Sequence, residues 1–164
     1  MSIEELTRLY EYNEWANGRL FVALAPLTDE EFTRDVAGSY GSIRNTMVHL
    51  LSAEWGWIDR CGGPPRGPAL KATDHPTLAS VIERWQEVAR IGREFLASLT
   101  DADLSRTVEW TLGDAPPRQS RLGDLLQHGV IHAVHHRGQV ALLLRAMGHA
   151  PGNFDLLFYD QREG

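Results

Sequence analysis

The sequence predicts an all-α fold: a four-helix bundle with a short β-hairpin before the last long helix. Four segments, each of roughly twenty residues or more, carry apolar residues at helical spacing. A segment rich in Gly and Pro, 62–76, separates the second from the third and is long enough to cross between helices. Long helices with one long connection are typical of bundles, which hold metals and ligands between facing helices.

The first predicted helix covers residues 2–26. It begins with SIEE, a capping box in which Ser2 accepts a hydrogen bond from the backbone of Glu5 and Glu5 reaches back. Pro26 ends it. A linker containing TDEEF and GSYG follows, and the second helix begins after the cap candidate Ser42 and ends at the paired glycines of the crossover.

The third predicted helix runs from Thr77 to about Ser98. After it, RTVEWTL and RQSRL flank GDAPP, and Thr, Val and Trp beside such a turn indicate a β-hairpin. The last helix runs from about Leu122 to Met147, where a Gly and a nearby Pro end it. The tail GNFDLLFYDQ is expected to pack back on the bundle.

Length and composition favour one soluble domain spanning residues 1–164. Apolar residues make up 43% of the chain and charged residues 23%, close to the averages for globular proteins. The net charge of −6 and the absence of a dense Lys/Arg block exclude the usual charge pattern of a nucleic-acid-binding protein. No apolar run could cross a bilayer and the start MSIEELTRLY has no signal-peptide pattern, so we expect a cytoplasmic protein with no membrane partner. The single cysteine, Cys61, excludes a cysteine-rich zinc site.

The stretch LLQHGVIHAVHHRGQ, residues 125–139, holds four of the seven histidines. On a helix, one narrow band at the edge of the core-facing stripe contains His128, His132, His135, His136 and Gln139. Side chains at i and i+4 can close on one cation, which leaves two pairs open: His128 with His132, or His132 with His136. His128 and His136 are separated by a rise of about 12 Å, so they cannot share an ion.

A third ligand has to come from elsewhere in the chain, and His49 is the candidate because it is the other histidine in a predicted helix, with small side chains beside it. The alternative for His49 is a hydrogen-bonded core histidine, and the alternatives for the cluster are a buried polar network or a partly solvated face. His75 and His149 fall in predicted loops, where we expect them to be solvated.

Three motifs resemble the signature helices of the DinB/YfiT-like metalloprotein superfamily, which is unrelated to the DNA polymerase of that name. They are YNEWANGRL at 12–20, SIRNTMVHLLSAEWGW at 42–57 and HGVIHAVHHRGQV at 128–140. The likeness covers nearly the whole chain as one DinB-like domain. It implies an up-down-down-up bundle that binds a divalent ion, zinc or nickel, through three histidines. Matched motif to motif, these are His49, His132 and His136.

The same resemblance makes His128 and His135 neighbours of the metal ligands or pocket residues. Asn13, Arg137 and Gln139 are further pocket candidates, although buried amides more often satisfy neighbouring backbone or side-chain groups. No carboxylate lies in the histidine band of the last helix, and Glu54 lies about 140° around its helix from His49, so the sequence indicates no general base and the catalytic residues are unknown.

Three neutral imidazoles leave a coordination position open, as in a catalytic zinc site, where a bound thiol or water would become a nucleophile. Family members similar to this chain include transferases and isomerases that use low-molecular-weight thiols such as bacillithiol or mycothiol. The resemblance therefore implies a thiol-dependent S-transferase or a related detoxification enzyme with a small-molecule substrate. The alternatives are a metal-dependent hydrolase and a non-catalytic stress-response protein that binds a metal or a small ligand.

The last helix is apolar nearly all round, which favours a second contact such as a homodimer. Ile131 and Leu142 lie off its main stripe, and Trp55 lies off the apolar face of the second helix. The alternative is a broad core contact with the hairpin.

Overall fold

The computed structural model describes residues 1–36, 38–65 and 67–160. The described helices are α1 (Ile3–Leu24), α2 (Asp29–Thr33), α3 (Ile43–Arg60), α4 (Leu78–Ala97), α5 (Leu122–Ala146) and α6 (Leu156–Asp160), and the strands are β1 (Thr107–Trp110) and β2 (Arg118–Arg121). Helices α1, α3, α4 and α5 form the predicted up-down-down-up bundle, and β1 and β2 form the predicted hairpin before α5.

Side-chain caps start three of the bundle helices where the sequence predicts. Ser2 accepts from the backbone of Glu5 and Glu5 accepts from the backbone of Ser2, so the predicted capping box begins α1. Ser42 caps α3 and Thr77 caps α4. Helix α1 ends at Leu24, before Pro26. Ala25 still donates its backbone N–H to the oxygen of Phe21, but Pro26 has no N–H with which to continue the helical hydrogen bonds.

The linker after α1 contains a helix that the sequence analysis missed. Thr28 and Glu31 form a second capping box, which starts α2, and Phe32 on this helix is buried in the core. The description of TDEEF as a plain linker was therefore wrong, because a capped turn with one buried aromatic residue is enough to hold five residues in a helix. A short 3₁₀ turn, Ala72–Asp74, lies within the crossover.

Each bundle helix packs against two others. Helix α1 contacts α4 and α5, and α3 contacts the same two, so α1 and α3 lie diagonally across the bundle. The core forms two adjoining clusters, one around Met47 and Trp85 and the other around Tyr10, Trp57 and Leu126. The hairpin covers the start of α5, with Val108 facing inward and paired with Ser120.

The C-terminal tail packs back on the bundle, as predicted. Helix α6 contacts α1, and the buried ring of Tyr159 makes edge contacts with Tyr12 and Trp15, with ring centroids 6.0 and 5.7 Å apart. Gln161, the last residue of the predicted tail, lies outside the described residues. No helix among the described residues is long and apolar enough to cross a membrane.

Two exposure predictions were wrong. Trp55 is buried, because α3 has neighbours on several sides and Arg84 of α4 stacks over the indole at 4.5 Å. His149 is partly buried and its Nε2 lies 3.4 Å from Glu31 of α2, a helix that the sequence analysis did not include. Ile131 and Leu142 are exposed, as their position off the main stripe of α5 predicts.

Candidate metal centre

His132 and His136 occupy successive turns on the face of α5 that packs against α3. Their Nε2 atoms are 3.0 Å apart, and His136 is only 5% exposed. His128, in contrast, has its ring centroid 5.9 Å from that of His132 and is exposed. Of the two pairs left open by helical spacing, the structure brings His132 and His136 together.

His49 of α3 meets this pair from across the helix interface. Its ring centroid lies 4.7 Å from that of His136 and 5.4 Å from that of His132. One nitrogen atom from each of the three imidazoles falls within 4.8 Å of the other two. The three histidines are therefore within reach of a single divalent metal ion.

Burial keeps these imidazoles neutral. It lowers the pKa of His49 to about 4 and that of His132 to about 4, with a smaller contribution from the charge that His136 would carry. The pKa of His136 is also lowered, mainly by burial. At neutral pH the three rings thus retain the lone pairs that a metal ion requires.

Gln139 orients His136. Nδ1 of His136 donates to Oε1 of Gln139 at 2.7 Å, so the lone pair of this imidazole is at Nε2, facing His132. The amide nitrogen of Gln139 donates in turn to Nε2 of His135 at 3.0 Å. Hydrogen bonds of this kind select the tautomer and the orientation of a metal-binding histidine.

Arg137 fixes the rotation of α5 from the opposite side. Its guanidinium is fully buried and donates to Oδ1 of Asn13 at 2.5 Å and of Asn17 at 2.8 Å, both on α1. This contact directs Arg137 toward α1 and the neighbouring His136 toward α3. The structure therefore places Asn13 and Arg137 in the bundle core and not beside the histidines.

A cavity of about 500 Å³ opens beside the histidines, between α3, α5, the hairpin turn and the crossover. Its described lining residues are Tyr40, His49, Ser52, Ala53, Trp57, Arg60, Ala69, Leu112, His128 and His132. His128 forms part of the wall, with its ring against that of Trp57 at 4.6 Å. The cavity is large enough for a small organic molecule that reaches His49 and His132.

Tyr40 is the site residue that the sequence analysis missed. Its ring stacks on His49, with centroids 3.9 Å apart, and its hydroxyl lies 2.8 Å from Nε2 of that histidine. The signal available in the sequence was an aromatic residue between two glycines, next to the cap of the helix that carries His49. Loop residues of this kind have no periodicity that would indicate which way they face.

A four-helix bundle with histidines from two facing helices at one cavity defines a class of candidate metalloprotein. The family model described as DinB family matches residues 1–163, and the chain belongs to this family.

Individual relatives agree with the family match. The chain is 27% identical to protein DinB of Bacillus subtilis strain 168 over 157 residues, which cover 93% of this chain and 91% of that protein. It is 25% identical to the uncharacterized protein YizA of the same strain over 148 residues, 89% of this chain and 90% of YizA. A crystal structure of a DinB-like protein from Bacillus cereus ATCC 10987 shares the fold, with a TM-score of 0.77 and 21% identity, over 93% of this chain and 97% of that one.

The three histidines fit a shared metal ion. Two imidazole nitrogens bound to one tetrahedral zinc ion lie about 3.3 Å apart, and the Nε2 atoms of His132 and His136 are separated by 3.0 Å. Neutral imidazole is the donor preferred by zinc, nickel and similar divalent ions.

Proposed function

We propose that the protein is a metal-dependent enzyme that transfers a low-molecular-weight thiol to a small electrophile. His49, His132 and His136 would hold a divalent metal, zinc or nickel, which would stabilise the bound thiol as a thiolate. The observation that carries the proposal is the convergence of three neutral imidazoles at one end of a cavity of about 500 Å³. The cavity would let both the thiol and the electrophile reach the three histidines.

The thiol has to come from a second molecule. Cys61 is the single cysteine of the chain, and burial raises the pKa of its thiol to about 12, so it is protonated and inaccessible at neutral pH. An external thiol that binds beside the three histidines meets neither restriction.

Thiol transfer suits the residues of this cavity better than hydrolysis. None of the described residues that line it is a carboxylate. A thiol loses its proton readily on binding to a metal, whereas attack by water depends more on a protein base. Glu54, the nearby acid on α3, is buried with Asn13 and Arg137 on the other side of the helix interface.

The cavity wall indicates where the electrophile would bind. Trp57 and Leu112 provide an apolar surface, and the guanidinium of Arg60 lies over the Trp57 ring at 5.2 Å. The proposal requires that an aromatic or aliphatic electrophile bound there reaches the histidine end with its reactive carbon. In the transfer, the thiolate sulfur would bond to that carbon as the leaving group departs with its electron pair, and the thiol proton would pass to solvent.

The experiment combines zinc-loaded or nickel-loaded protein with a series of low-molecular-weight thiols and a chloronitrobenzene, whose loss of chloride is followed by absorbance. We expect turnover that requires both the metal and one thiol, and that is lost in His132→Ala. His75→Ala is the matched control, because His75 lies in the crossover away from the cavity, and it should retain full turnover.

Other outcomes would contradict thiol transfer. Turnover of an ester with water and metal alone would favour a hydrolase. Metal binding without turnover of any substrate would favour a binding protein that acts in a stress response.

We also propose that the protein forms a homodimer through the outer face of α5. Ile131, Val134 and Leu142 lie on this face and are 58%, 46% and 66% exposed. Exposed apolar side chains that share one face of a helix are typical of a protein contact. Trp55 plays no part in this contact, since it is buried within the bundle.

A further inference from the structure

The loop that precedes α3 holds Tyr40 in a strained and well-anchored conformation. Ser39 has a φ of 49° between two glycines, Gly38 and Gly41, which also have positive φ angles. A non-glycine residue in this region is strained and persists where surrounding contacts hold it.

Hydrogen bonds of the described loop residues supply those contacts. Ser39 donates its hydroxyl to Oε1 of Gln139 at 2.8 Å, which ties the loop to the residue that orients His136. Asn45 donates its side-chain amide to the backbone oxygen of Tyr40 at 3.0 Å. The backbone nitrogen of Val36 donates to the oxygen of Gly41 at 2.7 Å, closing the loop at its base.

The resulting position of the Tyr40 hydroxyl leaves His49 free to bind a metal. The two rings are inclined by only 18° with centroids 3.9 Å apart, so they lie face to face. The phenol oxygen, 2.8 Å from Nε2, is therefore above the imidazole and not in its plane. The lone pair of a neutral imidazole nitrogen lies in the ring plane, and Tyr40 does not occupy it.

A metal ion held by the three histidines would favour a hydrogen-bond donor nearby. They carry no charge themselves, so a divalent ion held by them keeps its full charge and favours an anionic ligand at its open position. The Tyr40 ring faces both His49 and His136, with centroids 3.9 and 5.6 Å away. Its hydroxyl thus lies at the edge of the same site.

We propose that Tyr40 is a ligand-binding residue of this centre: its hydroxyl donates a hydrogen bond to an anion, such as a thiolate, that binds beside the three histidines. This inference rests on the proposed function and adds a specific residue to it. It also explains why a strained loop is anchored to Gln139, because the anion donor and the orientation of His136 are then set together.

The test uses cobalt(II) as the metal and azide as the anion, since cobalt absorption reports anion binding without turnover. Wild type, Tyr40→Phe and the control Tyr10→Phe are loaded with cobalt, and each is titrated with azide. Tyr10 is a suitable control because its hydroxyl bonds to the backbone of Leu126 in the core. We expect Tyr40→Phe to bind cobalt as wild type does and to bind azide about tenfold more weakly or worse, the loss expected for a hydrogen bond to a charged group. Tyr10→Phe should match wild type in both.

Equal azide affinity in wild type and Tyr40→Phe would overturn the role of Tyr40, and so would a wild-type cobalt protein that binds no azide. Loss of cobalt from Tyr40→Phe would also overturn it, since Tyr40 would then be required for the metal itself. Failure of the wild type to hold cobalt would instead contradict the three-histidine centre, so the two proposals fail in different ways.

Discussion

Gln139 connects two histidines and a loop through one amide group. Its oxygen accepts from His136 and from Ser39, and its nitrogen donates to His135. The side chain contributes no atom to the three-histidine group, yet it determines which nitrogen of His136 carries the proton.

Replacing this amide should therefore weaken metal binding without removing a ligand. We expect Gln139→Leu, which is similar in size, to lower zinc affinity by about 10- to 100-fold, the usual effect of losing a hydrogen bond to a metal-binding histidine. Competition with a chromogenic chelator measures the affinity. Gln127→Leu, on the first turns of the same helix and in a different pocket from the three candidate ligands, should leave the affinity unchanged. The same loss of affinity in both variants would contradict this role for Gln139.

At the scale of single residues, the prediction of site residues from the sequence depended on helical periodicity. The i,i+4 spacing reduced the histidines of α5 to two candidate pairs, and His49 was the remaining histidine in a helix. Asn13 and Arg137 could not be separated from the site in this way, because a helical projection shows which face a residue occupies and not which helix it meets. The structure pairs them with each other.

At the scale of the helices, the most consequential contact is a cluster of buried polar side chains from α1, α3 and α5. Glu54 of α3 is buried, and Asn13 donates a hydrogen bond to it while Arg137 provides the nearby positive charge. Burial is the larger effect and raises the pKa of Glu54 to about 7, above its usual value of 4.5. Removing one member of such a cluster usually lowers the stability of the fold strongly, because it leaves the remaining buried polar groups without a partner.

This pKa predicts a specific dependence of stability on pH. Below pH 4.5 Glu54 is protonated in both the folded and the unfolded chain, and as pH rises to about 7 only the unfolded chain ionises. Stability is then lost across this window, by about 3 kcal/mol at most. We expect the free energy of unfolding of wild type, relative to Glu54→Gln, to fall by an amount of this order between the two ends of the window.

Urea unfolding of both proteins at several pH values measures this difference. His49 and His132, whose lowered pKa values destabilise the fold as pH falls below 6.5, act in the opposite direction but are present in both proteins and cancel. A difference in stability between the two proteins that stays constant with pH would contradict the raised pKa of Glu54.

The helices themselves were predictable because local signals agreed with tertiary packing. Capping residues and apolar spacing indicated α1, α3, α4 and α5 to within a few residues. Trp55 was misplaced because α3 buries more than one stripe, a consequence of its contacts with several neighbours. Helix α2 was missed because five residues are too few to show a period, although the capping box at Thr28 was visible.

At the scale of the whole molecule, the exposed face of α5 predicts assembly. We expect a species of about twice 18.4 kDa in sedimentation experiments at micromolar concentration, and a shift to monomer in Leu142→Glu, which places a charge in the proposed contact. Val22→Glu is the control, since Val22 is an exposed apolar residue on α1. A single species of 18.4 kDa in wild type would contradict the dimer.

The candidate metal site spans the interface between α3 and α5, because one ligand candidate lies on α3 and two lie on α5. A metal ion bound only by the folded chain would stabilise the whole bundle by mass action. Zinc added in excess should therefore raise the melting temperature of wild type and leave that of His49→Ala nearly unchanged, as calorimetry would show. An equal rise in both proteins would place the bound zinc elsewhere.

The most direct test of the three-histidine centre is the metal content of five purified variants, measured by mass spectrometry after equilibration with the same zinc concentration. Alanine at His49, His132 or His136 should leave two ligands and little bound zinc. Alanine at His128 or His135, which contact the site from the cavity wall and from Gln139, should retain near-stoichiometric zinc. Near-stoichiometric zinc in His132→Ala together with loss of zinc from His128→Ala would contradict the assignment.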